Sequence, residues 1–197
     1  MDYQEITDLS PLEGLPLEYL SLTGNEISNL SPLAGCQGLR VVDLGQNPIR
    51  DASVLAELPQ LQRLVLEAAG ITSLEVFRGC AFQSLNVRST WVSDFTPLED
   101  CPNLAHLIVG ELPGGAVDTL AQLESLQVLN LGETGLRELS FLPTLPALRR
   151  LDLRGNSITD LTPLLDCPWL IELGLSQQHQ PLVQAQLGQA QFSIWYE

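Results

Sequence analysis

An L-x-x-L-x-L run recurs along the chain with its first apolar residue at Leu17, Leu39, Leu61, Phe82, Leu104, Leu126, Leu148 and Leu170, a step of 22 residues that shortens once to 21. A period of this length limits the fold more than any local propensity does. One such unit is a single supersecondary element that cannot bury its own apolar face, so the units must stack. The two inner apolar columns are Leu20/Leu22, Val42/Leu44, Leu64/Leu66, Leu85/Val87, Leu107/Val109, Leu129/Leu131, Leu151/Leu153 and Leu173/Leu175, which makes the array continuous rather than a duplicated domain.

Within each unit the hydrophobic period changes. "YLSLT" and "RLDLR" alternate apolar with polar residues, the pattern of a strand buried on one face. Ile27, Leu30 and Leu33, like Ile158, Leu161 and Leu164, then recur every third residue, which predicts one 3₁₀ or helical turn on the far side of the coil. Ser10-Pro11, Ser31-Pro32, Thr96-Pro97 and Thr162-Pro163 read as a capping hydroxyl followed by proline at the first helical position. Asn25, Asn47 and Asn156 fall just after the strand, where a side-chain amide could bond the backbone of the bend.

From Ile6 to about Gln178 these motifs resemble the leucine-rich repeat proteins, specifically the 22-residue class of bacterial internalins and of the regulatory subunit of protein phosphatase 1. The resemblance implies an α/β fold, a right-handed solenoid with a concave parallel β-sheet and short 3₁₀ or helical turns on the convex side. The sequence departs from that pattern where Ala69, Thr90, Leu112, Thr134 and Gln178 interrupt the asparagine column. In the fifth repeat Pro113-Gly114-Gly115 replaces the isoleucine, so an irregular bend is expected there. The expected organisation is a partial N-terminal repeat or cap over 1–16, eight repeats over 17–178 and a C-terminal cap over 179–197. Ile6, Leu9 and Leu12 match Ile27, Leu30 and Leu33, as in a repeat whose strand is missing. At the other end Phe192 lies 22 residues after Leu170, so Phe192 to Tyr196 could form a last short strand, with Trp195 or Phe192 closing the core.

Composition excludes several classes of function. A formal charge of -15 repels nucleic acid and anionic lipid. All nine cationic residues are arginine, so neither Schiff-base lysine chemistry nor a phosphate-loop lysine is available. No apolar run approaches the length of a membrane span, and the opening "MDYQEITDLSPL" has neither the basic nor the apolar region of a signal peptide.

Candidate chemical groups read as structural. Cys36, Cys80, Cys101 and Cys167 share one repeat position, which Leu58, Leu123 and Leu145 fill elsewhere. Interchange with leucine suggests buried free thiols, although Cys80 and Cys101 lie in neighbouring coils and could approach disulfide range if their Cβ vectors allowed it. Asp8, Asp51, Asp94 and Asp160, with Glu138, form an acidic column just before the far-side turn, interrupted by Asn29, Ser73 and Ala116. Such a row is better explained by local backbone acceptors or a solvated edge than by a calcium ladder. The two histidines, His106 and His179, have no nearby nucleophile or orienting carboxylate in sequence, and Gly114-Gly115 lacks phosphate-loop context. No catalytic residue, cofactor or metal is expected.

What remains is the open face of the strands. Residues alternating with the buried leucines point onto it, and four of its residues are arginines, balanced by Asp43, Glu67, Asp152 and Glu172. Tyr19, Val41, Arg63, Val65, Arg88, His106, Ile108, Arg150 and Arg154, with Trp91 at a strand exit, have the aromatic, aliphatic and arginine character of a protein-binding patch. The expected function is therefore non-catalytic recognition of a protein or peptide by a monomer. The alternatives are the substrate-recognition part of a larger enzyme or signalling protein, or a structural spacer. Unpaired cysteines favour a reducing cytoplasmic compartment, whereas the resemblance to internalins implies surface exposure.

Overall fold

A computed structural model describes residues 1–112, 116–188 and 191–197. The bend expected at Pro113-Gly114-Gly115 lies outside the described residues. The chain divides into two compact units, Met1–Leu104 and Ala105–Glu197. In the first, β1 (Tyr19–Ser21), β2 (Val41–Asp43), β3 (Arg63–Val65) and β4 (Ser84–Val87) pair in parallel and in chain order. In the second, β5 (His106–Val109), β6 (Val128–Asn130), β7 (Arg150–Asp152), β8 (Glu172–Leu175) and β9 (Ser193–Tyr196) do the same.

The inner columns carry the core as the repeat predicts: Leu64, Leu85, Leu107, Leu129, Leu151 and Leu173 are fully buried. Each such side chain contributes roughly 1.5–3 kcal/mol by leaving water, and only the neighbouring coil gives it somewhere to go. Between strands the chain turns through single 3₁₀ segments, among them Ser10–Leu12, Ser31–Gly35, Thr96–Asp100 and Thr162–Asp166. Short α-helices α1 (Ser53–Ala56) and α2 (Ala116–Leu120) take that place in two other coils. A longer helix, α3 (Gln180–Gln186), precedes β9.

The asparagine column acts as a ladder. Asn47 donates from Nδ2 to the carbonyls of Leu22, Leu44 and Gly45 at 2.9, 3.0 and 3.0 Å, and its Oδ1 accepts Ile27 N–H at 3.0 Å. Asn156 repeats the pattern with Leu131, Leu153 and the N–H of Leu136. Where the column holds threonine, Thr90 and Thr134 keep one rung by donating to Val87 O and Leu131 O.

The far-side turns start differently from the sequence expectation. Ser10, Ser31, Thr96 and Thr162 are the first residues inside their turns rather than caps, and the proline stands second. The capping acceptor is the residue two positions upstream: Asp8, Asn29, Asp94 and Asp160 each accept the backbone N–H that opens the turn, at 2.8–3.0 Å. A hydroxyl in the first turn bonds back to that carboxylate instead of to the backbone, because the aspartate already holds the exposed N–H.

The 21-residue spacing occurs twice. Between Arg63 and Ser84 it shortens one coil, and Phe82 stands there where the other coils have leucine. Phe82 meets Phe77 edge-on with ring centroids 5.7 Å apart, beside a cleft of about 250 Å³ lined by Leu58, Pro59, Val76 and Cys80. Between Glu172 and Ser193 the same shortening changes a side-chain assignment. A 22-residue step would set Trp195 behind Leu173 in the core. The actual register puts Ile194 there and Trp195 opposite Gly174 on the open face, since a slip of one residue exchanges the faces of a strand.

Candidate binding face

In the first unit, pairing aligns Tyr19, Val41, Arg63 and Ser84 in one row of the open face and Ser21, Asp43, Val65 and Asn86 in the next. Tyr19 is 68% exposed, Arg63 is exposed, and Val41, Val65 and Arg88 are half-buried. Among the described residues Arg63 forms no ion pair. Trp91 stands at the exit of β4, 76% exposed, its backbone N–H held by Ile71 O at 3.2 Å.

In the second unit, His106 is exposed on β5 and Ile108 is half-buried beside it. Arg150 and Arg154 are already engaged. Arg154 forks onto Asp152 through Nε and Nη2 at 2.9 and 2.8 Å and reaches Glu197 through Nη1 at 2.8 Å. Arg150 lies 3.4 Å from the Glu172 carboxylate and over the Trp195 ring, 4.9 Å from its centroid.

One set of open-face residues has a role that the sequence reading missed. Asp43, Asn86, Asn130 and Asp152 each accept the N–H of the residue two positions on, at Gly45, Arg88, Gly132 and Arg154, with distances of 2.8–3.1 Å. They close the ends of their strands, so the two aspartates are structural rather than free charges on the face. The recurring Asp/Asn-Leu/Val-Gly/Arg triplet carried that signal. Burial acts most strongly on the Asp152 carboxyl and would raise its pKa. The Arg154 side-chain and backbone hydrogen bonds, with the charges of Arg154 and Arg150, outweigh burial and hold it below the usual carboxylate range.

The four aspartates of the acidic column on the far side are local acceptors. Hydrogen bonds from Ser10, Ser53, Thr96 and Thr162 lower the pKa of Asp8, Asp51, Asp94 and Asp160. A pKa lower in the folded state than in the unfolded chain gives stability that is present above the unfolded value, about 3.9, and is lost as pH falls through the folded one. Asn29 already performs the same service without a charge. The quadruple Asp→Asn variant at 8, 51, 94 and 160 should therefore keep its turns at neutral pH. Calorimetry between about pH 6 and 2.5 should show a shallower acid decline in Tm, with proton uptake on unfolding smaller by up to about one proton per site. An unchanged decline would remove these carboxylates from the account.

All four cysteines are free thiols. Cys36 and Cys101 donate to Leu12 O and Phe77 O of the preceding coil, each at 3.2 Å. Burial pushes the Cys101 and Cys167 thiols up to about 11, and raises Cys80 as well, so they stay protonated and unreactive at neutral pH. His179, at the N-cap of α3, is buried. Among the described residues no group of three His, Cys, Asp or Glu side chains converges as a metal site, and no helix is long and apolar enough to cross a membrane.

Comparison with known proteins agrees with this geometry. Residues 17–57 and 124–166 match the family model described as leucine rich repeats (2 copies). The chain is similar to an internalin (inlF) from Listeria monocytogenes, with 27% identity and a TM-score of 0.76 over 100% of this chain and 58% of that one. It is also similar to internalin C2 of the same organism, with 25% identity and a TM-score of 0.72 over 88% of this chain and 77% of that one. Over 160 residues, 79% of this chain, it is 30% identical to a Roc-COR-CHAT protease from an unknown prokaryotic organism. The match spans 14% of that protein's length.

Proposed function

The chain is a leucine-rich repeat protein, and on that premise we propose that it is a non-catalytic recognition module that binds a protein or peptide on the open, concave face of its strands. The observation that carries this reading is the pairing of a fully used interior with a face where Tyr19 and Trp91 stand 68% and 76% exposed and Arg63 has no ion-pair partner among the described residues. Aromatic and arginine side chains are enriched in protein interfaces and form many of their strong contacts. Tyr19, Val41, Val65, Trp91 and Ile108 supply apolar contact. Arg63, Arg88, His106, Arg150 and Arg154 steer and hydrogen-bond.

A partner isolated by affinity capture should associate about tenfold more slowly with the Arg63→Glu/Arg88→Glu variant at low salt if it is acidic, and the gap should narrow as salt is raised. Association kinetics measured by surface plasmon resonance check this. A captured partner indifferent to changes at Tyr19, Arg63, Arg88 and Trp91 would sink the reading.

The match to 14% of a protease-named protein favours one second reading, in which the chain is the substrate-recognition part of a larger enzyme or signalling protein. The full open reading frame separates the two.

A further inference from the structure

The second unit's open face is already occupied by a segment of its own chain. β9 adds to the edge of β8 as a parallel strand, with Ser193 N–H on Ile171 O at 2.9 Å and Glu197 N–H on Leu175 O at 3.3 Å. Two of its side chains reach back over the face. Trp195 lies across Gly174, where a Cβ would come within 2.5 Å of the ring, and the Arg150 guanidinium stacks on that ring. In β5 to β7 the column of Gly174 holds Ile108, Asn130 and Asp152, and the glycine opens a slot for a ring beside them. Two residues on, Glu197 accepts from Nη1 of Arg154, whose Nε and Nη2 are held by Asp152. Strand addition, an aromatic slot and a carboxylate clamp are together the parts of a site for an extended peptide, with the backbone giving affinity and alternate side chains giving specificity.

The occupant is only part-buried. No side chain of β9 is buried, in contrast to β8, where Leu173, Gly174 and Leu175 all are. A strand that is only part-buried opens at lower cost than its fully buried neighbour.

We propose that the β8 edge, the Gly174 slot, Arg150 and Arg154 form a binding site for an extended peptide carrying an aromatic residue two positions before an acidic one, and that Ser193–Glu197 is its intramolecular occupant, displaced when the partner binds. This rests on the reading that the open face recognises protein segments. It adds the partner's chemistry and a competitor built into the chain.

The test uses the full chain and a fluorescein-labelled peptide of sequence QFSIWYE, followed by fluorescence anisotropy. The Trp195→Ser/Glu197→Gln variant, with its tether weakened, should bind the peptide at least about tenfold more tightly than the unaltered protein. Adding Gly174→Val or Arg154→Ala to that variant should abolish binding. Equal binding to tethered and weakened forms, no binding to a weakened form whose circular dichroism is native, or binding indifferent to Gly174→Val overturns the proposal. Should the weakened variant fail to fold, hydrogen exchange on the unaltered protein decides: excess peptide must speed exchange over 193–197 and leave β1 to β3 alone, and no acceleration overturns the idea. A captured partner that responds to Arg63→Glu/Arg88→Glu but ignores Gly174→Val refutes this site while leaving recognition by the first unit intact.

Discussion

Phe82→Ala is expected to lower stability by about 4 kcal/mol, the upper part of the range for emptying a buried aromatic position. Two circumstances raise the cost above that of a leucine elsewhere in the array. The coil that ends at Phe82 is one residue short, so its backbone cannot close over a void, and a cleft of about 250 Å³ already lies alongside. The edge-on contact with Phe77 is lost as well. Phe82→Leu restores the residue used in the other coils and should cost only about 1 kcal/mol, because most of the apolar volume is retained. Urea unfolding of the two variants checks the pair. Equal costs would mean that the ring does not compensate for the missing residue.

Asn47→Ala should cost about 3 kcal/mol. Alanine removes the partner of Leu44 O and of Ile27 N–H in a site that is 2% exposed, while Leu22 O keeps Asn25 Nδ2 and Gly45 O keeps Gly24 N–H; buried groups stripped of a hydrogen bond cost about 1–3 kcal/mol each before relaxation. The chain itself supplies the intermediate case. Thr134 occupies the same column and keeps a single rung, so Asn47→Thr should recover roughly a third to a half of the loss. Because neighbouring coils support each other, the unfolding midpoint of the whole chain should fall rather than that of one coil. A midpoint shift equivalent to less than about 1 kcal/mol for Asn47→Ala would show that water replaces the amide.

Much of the fold was legible in the sequence because its cause is periodic. The leucine columns, the asparagine rungs and the thiols that interchange with leucine each recur at one spacing, and recurrence exposes a shared environment. The aspartate column was legible for the same reason, since Asn29 and Ser73 could replace carboxylates only if the role was to accept a backbone N–H. The hydroxyls of Ser10 and Thr162 were misassigned because two acceptors compete for one N–H, and sequence position does not say which wins. Strand-end acceptors such as Asp43 were missed because an acidic side chain in an exposed strand column reads as a surface charge until its bond to Gly45 is seen.

The candidate site was legible in composition but not in occupancy. Which face Trp195 takes turns on a single residue of register in the final coil, and the slot that receives it is made by the missing side chain of Gly174, 21 positions earlier. Arg150 and Arg154 carry the same residue type as Arg63, yet their engagement with Trp195 and Glu197 comes only from that packing.

Leu20, Val42 and Leu64 sit at three equivalent addresses that differ by whole turns of the chain. Duplicating one such module would therefore insert a new tenant between unchanged neighbours, whereas a coil one residue short, like the one before Phe82, is closed there by a bulkier side chain. Length in a molecule of this kind can change in complete steps without solving the interior afresh.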